Sequence, residues 1–208
     1  MGGDYDFGAS PILHDLADGR QILVVGQKSS QVYGLDPNSQ GKVLWTQRLS
    51  VGGPLGGVEF GPAADDQNVY VAISDIYMRG LAHPGLTALR IADGKILWTK
   101  PAPRNSCRWT NEYCNPGQSQ AVSAMPGVVF SGSMDGHLRA YATAEGAVLW
   151  DFNTAGQPYH TVTGRTVEGG VLDGGGPTIV KSTLYIVSGY AGRSGGGTAL
   201  LAFSIDGK

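Results

Sequence analysis

Charge is scarce in this chain. Asp, Glu, Lys and Arg make up 15% of its 208 residues, against roughly 25% in an ordinary globular domain. The formal net charge is −2, and no basic stripe stands out, which argues against a nucleic-acid surface. No stretch approaches the roughly 18 consecutive apolar residues of a membrane-spanning helix. Apolar helical periodicity never persists beyond about two turns, so helices are not expected. The start, Met1-Gly2-Gly3-Asp4, has neither the basic residues nor the apolar run of a signal peptide. The chain is therefore expected to be cytosolic, a mature form, or a piece of something longer. Cysteine appears only as Cys107 and Cys114, and no Cys-x-x-Cys-His occurs, so no covalent haem site is encoded.

Glycine, by contrast, is abundant: 33 residues, roughly twice the usual share. That composition suits short strands joined by tight turns. The chain also repeats itself. Val32 to Trp45 reads VYGLDPNSQGKVLW, and LTALRIADGKILW ends at Trp98. LRAYATAEGAVLW ends at Trp150, and ALLAFSIDGK stops at Lys208, before any apolar pair and Trp. The turn glycines Gly41, Gly94, Gly146 and Gly207 recur about every 50 to 60 residues, the mark of a repeat architecture. Each copy holds two β-rich runs around a turn, a hairpin signal.

Strand candidates fall into quartets, here called A to D. The first set is Ala9–His14, Gln21–Val25, Gln31–Leu35 and Val43–Gln47; the second is Gly57–Phe60, Asn68–Ile73, Leu86–Ile91 and Ile96–Thr99. The third is Gln120–Ala124, Val128–Gly132, His137–Tyr141 and Ala147–Phe152; the fourth is Pro177–Val180, Thr183–Ser188 and Thr198–Phe203. Four-stranded meanders at this spacing predict an all-β chain folded as a β-propeller, a single partial domain with blades at about 8–50, 56–100, 119–153 and 176–208. The fourth blade lacks its D strand, and Met1–Phe7 is too short and polar to replace it. Half of a larger ring is expected, with a four-bladed ring or open array as the alternative.

In such a meander the D-to-A and B-to-C loops rim one mouth. Asp4, Asp6, Lys28, Glu59, His83, Cys107, Cys114 and His160 all fall on that side, as do the long loops Lys100–Ser119 and Thr154–Gly176. Long loops on a rigid scaffold are where function concentrates. Glu59 on an inner strand would be costly unless paired or ligated. Cys107 and Cys114 share one polar loop at a spacing that suits a disulfide more than free thiols; no further Cys or His lies near enough for zinc. His14, His83, His137 and His160 show no ligand spacing. Trp45, Trp98 and Trp150 are expected at interblade seams, and Trp109 could line the mouth. The runs Gly52-Gly53, Gly174–Gly176 and Gly195–Gly197 precede no helix pattern, so they are not phosphate loops.

The Gly-Lys-x-Leu-Trp hairpin resembles the tryptophan docking motif of quinoprotein propellers, which use pyrroloquinoline quinone (PQQ). DYDFGASPIL, GQKSSQVYGLDP, GGVEFGPAADDQNVYVAISD, the loop around Cys107 and Cys114, GVVFSGSMDGHLRAY and GGGTALLAFSIDGK extend the likeness over nearly the whole chain. They resemble the C-terminal part of the polyvinyl-alcohol dehydrogenases, periplasmic quinoprotein alcohol dehydrogenases. The resemblance implies an eight-bladed ring of which this chain supplies four blades. It also implies PQQ and calcium as cofactors, an alcohol substrate, small or polymeric, and cytochrome c as electron acceptor. On it Asp4 would bind calcium and act as base, Lys28 would meet the quinone oxygens, and Glu59 would lie beside the cofactor. Gly3 stands where the family commonly has Trp. The competing expectation is a non-catalytic scaffold with the same hairpins, whose open ends pair with a partner, the missing half, or a second copy of the chain.

Overall fold

A computed structural model describes residues 3–76, 82–103, 115–190 and 197–206. Among these residues every regular element is a strand. The first sheet contains β1 (Ile12–Asp15), β2 (Gln21–Gly26), β3 (Gln31–Asp36) and β4 (Lys42–Arg48). The second contains β5 (Ala63–Ala64), β6 (Asn68–Ile73), β7 (Gly85–Arg90) and β8 (Ile96–Pro101). The third contains β9 (Ser123–Met125), β10 (Val128–Gly132), β11 (His137–Ala142) and β12 (Val148–Asn153). A small hairpin, β13 (Pro158–His160) with β14 (Thr166–Glu168), precedes the fourth sheet, β15 (Thr178–Val180), β16 (Thr183–Ser188) and β17 (Ala199–Ser204). Every sheet is an antiparallel meander in chain order, so the expected all-β, propeller-type blades are present, the last with three strands.

Burial shows how the blades stack. β6 is buried on both faces: Val69, Val71 and Ile73 pack with Ile22, Val24 and Trp45 of the first blade, while Tyr70 and Ala72 pack with Val122, Val129 and Tyr141 of the third. Leu138 and Trp150 then meet Leu184, Ile186 and Phe203 of the fourth. β16, at the end of the stack, alternates instead: Leu184 and Ile186 are inside, while Tyr185 and Val187 face out. Period-two alternation is what a strand with one covered face shows, and continuous burial what one with two shows.

The tryptophans tie the seams as expected. Trp45 Nε1 donates to Ile91 O at 3.0 Å, and Trp98 Nε1 donates to Thr143 O at 2.9 Å, each on the next blade. A β-bulge aims each ring. Gly34 pairs with Trp45 but Leu35 with Val43; Ala88 pairs with Trp98 but Leu89 with Ile96; Ala140 pairs with Trp150 but Tyr141 with Val148. The skipped residues are Leu44, Leu97 and Leu149, all exposed, so the Leu before each Trp is the extra residue that turns the Trp toward the seam. The residue opposite must be small: a Cβ on Gly34 would lie 2.3 Å from the Trp45 ring.

Some expected strand bounds need correction. The second A strand was expected at Gly57–Phe60, but the ladder holds only Ala63–Ala64. The backbone of 57–58 is committed elsewhere: Gly57 N–H donates to the Asp75 carboxylate at 2.7 Å, and Val58 N–H donates to Gln27 O. The third A strand likewise begins at Ser123, not Gln120. The β13–β14 hairpin lies within what the sequence suggested was a plain loop, and His160 sits on it, exposed.

Replacing Trp45 by Ala should cost roughly 3–5 kcal/mol, the range for large aromatic truncations. Trp45→Phe, which keeps ring area but loses the N–H bond to Ile91 O, should cost about 1 kcal/mol for the missing hydrogen bond and somewhat more for lost fit. Urea unfolding of the three proteins measures both, and equal losses would put the seam's strength in the hydrogen bond instead of the packing.

Candidate functional site

Lys28 sits in the tight β2–β3 connection, and the chain around it is braced from three sides. Its N–H donates to Asp6 O at 3.1 Å, and its carbonyl accepts the Gly53 N–H at 3.0 Å. Gly57, at φ 65°, presses so close that a Cβ there would come 2.3 Å from Lys28 O. No side chain other than hydrogen fits that left-handed, crowded position. The ammonium is 3.1 Å from Asp6 Oδ1 and 3.6 Å from Asp4 Oδ2, with the Lys28 side chain 18% exposed. Burial pulls its pKa down, but the Asp6 hydrogen bond and the charges of Asp6, Asp4 and Glu59 outweigh it and hold the pKa above the ordinary lysine value.

Glu59 is the buried member of the group, 7% exposed. Its Oε2 lies 2.8 Å from the Ser119 hydroxyl, and that hydroxyl lies 2.5 Å from Asp173 Oδ1. Its Oε1 is buried without a hydrogen-bond partner. Burial pushes the Glu59 carboxyl up to about 7; the Ser119 hydrogen bond opposes this, the Asp173 charge adds to it, and Lys28 and the Ser74 hydroxyl lower it. Glu59 makes no hydrogen bond to Lys28 among the contacts found, yet each charge biases the other. Thus Asp4, Lys28 and Glu59, which the sequence placed on one rim, share one electrostatic neighbourhood, with Asp6 as the direct partner of Lys28.

Among the described residues the histidines make no bond to Lys28 or Glu59. His137 Nδ1 is 2.5 Å from Asp151 Oδ1 within a buried network around Arg139, whose guanidinium also reaches Asp135 and Asp151. His83 contributes its backbone N–H to the Ser50 hydroxyl. His14 contacts Asp66 O at the opposite, A–B side of the blades. Cys107, Cys114 and Trp109 lie outside the described residues, and the disulfide with them.

Three residues of the neighbourhood were not singled out from sequence. Ser119 and Asp173 complete the Glu59 contacts. Asp75, 3% exposed, accepts from Ser30 and Ser50 hydroxyls and from Gly57 N–H, so it clamps the loop that bears Glu59 against the first blade. A signal for Asp173 existed: Gly169-Gly170-Val171-Leu172-Asp173 echoes Gly56-Gly57-Val58-Glu59, each a Gly-Gly-Val leading to an acid.

Comparison with known proteins gives a consistent set. The family described as outer membrane protein assembly factor BamB (PQQ_2) matches residues 7–206. A polyvinylalcohol dehydrogenase from Pseudomonas sp is 57% identical over 217 residues, covering 100% of this chain and 34% of that protein. One from Sphingopyxis sp. (strain 113P3) is 47% identical over 221 residues, with the same two coverages. The chain therefore spans about a third of the length of the curated relatives it matches. The crystal structure of quinohemoprotein alcohol dehydrogenase from Comamonas testosteroni superposes with a TM-score of 0.66 at 18% identity, over 99% of this chain and 34% of that one. That likeness concerns the fold.

The Glu59 carboxyl makes stability depend on pH. Below about 4.5 the group is protonated in both the folded and the unfolded chain. Between there and about 7 the folded chain keeps a proton the unfolded chain has released, so stability falls as pH rises, by on the order of 3 kcal/mol in all. Urea midpoints at pH 5 and pH 8 should therefore separate more in the native sequence than in Glu59→Gln, and identical slopes would show that Glu59 does not hold its proton.

Proposed function

The chain belongs to the PQQ_2 propeller family, and from that premise we propose that it is the C-terminal part of a PQQ-dependent alcohol dehydrogenase acting on hydroxyl groups like those of polyvinyl alcohol. It supplies four blades of an eight-bladed ring and one wall of the cofactor mouth. The observation that carries this reading is Lys28, whose main chain is braced by Asp6, Gly53 and Gly57 and whose half-buried ammonium is set among the charges of Asp4, Asp6 and Glu59. A non-catalytic propeller has no need to hold a cation in so constrained a place.

The residues fit a quinone. Lys28 offers a half-buried cation to ring oxygens. PQQ, when bound, supplies the two-electron acceptor for the alcohol carbon. Lys28 would orient the ring and balance negative charge growing on its oxygens. Asp4, exposed at the mouth beside Lys28, would accept the hydroxyl proton. Calcium is a poorer fit to these residues alone: among the described residues no group of three or more His, Cys, Asp or Glu is placed to hold a metal ion. Asp4 would contribute one oxygen of such a site, and no step here passes through the metal. Periplasmic residence and delivery of electrons to a cytochrome c complete the proposal, as the resemblance to the quinoprotein dehydrogenases implies.

The second reading is a protein-binding scaffold, in keeping with the assembly factor that the family description names. It is favoured by the outward face of the last blade, where Val187 is 58% and Leu200 69% exposed. A missing propeller half or a second copy of the chain would cover that face under either reading.

Titrating the chain with PQQ and calcium, while following solution mass and alcohol-dependent dye reduction, separates the two. Quinone should bind, Lys28→Ala should weaken it roughly tenfold, the loss of one charge-assisted hydrogen bond, and Lys28→Arg should retain most of it. A chain that neither binds quinone nor reduces dye sinks the dehydrogenase reading for these blades, and unchanged affinity in Lys28→Ala removes Lys28 from the site.

A further inference from the structure

The three oxygens Glu59 Oε2, Ser119 Oγ and Asp173 Oδ1 pose a counting problem. Ser119 has a single hydroxyl hydrogen and two carboxylate oxygens at hydrogen-bond distance, 2.8 and 2.5 Å. It can donate to one of them only. The other contact is a hydrogen bond only if that carboxyl carries a proton and donates it to Oγ. Asp173 Oδ1 already accepts the Gly174 N–H at 3.0 Å, which marks it as the accepting end. Glu59 is then the donor, and its burial, with an orphaned Oε1, suits a neutral acid better than an ion.

We propose that Glu59, Ser119 and Asp173 form a proton relay that crosses from the second blade through the third-blade approach to the fourth, with a buried protonated end at Glu59 and a half-buried end at Asp173 facing the mouth. Transfer is balanced within the trio. The Oε2–H bond of Glu59 breaks as its proton joins Ser119 Oγ, and the former Ser119 proton joins Asp173 Oδ1. One negative charge moves the opposite way, from Asp173 to Glu59. The charges facing Glu59 pull both ways: Asp173 brings a negative charge that favours the acid, and Lys28 brings a positive one that favours the ion. Lys28 is thereby the lever, since whatever neutralises or engages it alters where the proton rests.

The shared proton stands on this geometry alone. Its use, as a store that holds or releases a proton beside the quinone site, rests on the function proposed above. The proton itself is read without quinone, by infrared titration of carboxyl groups in the chain between pH 5 and 9. One buried carboxylic acid should titrate near neutral pH and vanish in Glu59→Gln. Asp173→Asn should move that titration downward by removing the neighbouring charge, and Ser119→Ala should shift it by breaking the hydrogen-bonded link between the two acids, with circular dichroism unchanged in both. A native chain without a neutral-range carboxylic acid, or a titration that ignores both Asp173→Asn and Ser119→Ala, overturns the relay. Failure of quinone binding leaves these outcomes untouched, so the two ideas fall separately.

Discussion

Two indole N–H groups, one at each of the first two seams, set the geometry of everything else. Four-stranded sheets of this composition have two apolar faces and little charge to leave on either, so each must find a neighbour on both sides. Apolar faces alone do not fix the angle or the offset between sheets. The hydrogen bonds from Trp45 to Ile91 O and from Trp98 to Thr143 O do, because an indole has one donor and a buried one must be aimed. The bulge at the preceding Leu makes that aim possible without tilting the whole strand.

With the outer rim pinned this way, the inner rim inherits its distances. Lys28 and Glu59 belong to different blades, and Ser119 and Asp173 to two more approaches to the axis. None of them is near another in sequence, so no local motif positions the group. What does is a set of cross-blade backbone bonds: Gly53 N–H to Lys28 O, Val58 N–H to Gln27 O, Gln118 N–H to Ile73 O and Ala121 N–H to Gly174 O. Asp75 adds a buried carboxylate that gathers three donors at the first seam. The site is thus a consequence of stacking, and loosening a Trp seam would be felt at the opposite rim.

This division explains what could be read from the residues. The hairpins were legible because a turn glycine, a β-branched run and a Trp repeat in fixed order, and Asn68–Ile73, Val128–Gly132 and Thr183–Ser188 came out residue for residue. The second A strand was not, since Gly57 to Glu59 reads as an extended run while its backbone partners are a side chain and the neighbouring blade. The rim placement of Asp4, Lys28 and Glu59 followed from strand order alone. Ser119 stayed hidden because nothing in Gly117-Gln118-Ser119-Gln120 says which of its polar side chains will face two acids. Only the distance between blades decides that.

Charge at the mouth follows from the same geometry. Asp4, Asp6 and Glu59 act on Lys28 there, and Asp173 acts on Glu59 in turn. Four ionised carboxylates around one ammonium would leave a strong uncompensated negative charge in a site partly shielded from water. Asp4 and Asp6 are more than half exposed and lean on solvent. Glu59 cannot, so it is the one that keeps a proton, and burial selects it over its neighbours. A neutral Glu59 leaves Lys28 nearer to balance with Asp6 and frees its field for whatever occupies the mouth. Any negative charge that arrives near Lys28 raises the cost of ionising Glu59 further, and any that leaves lowers it. A wall built this way responds to charge in the cavity by shifting a proton, with no movement of the backbone required.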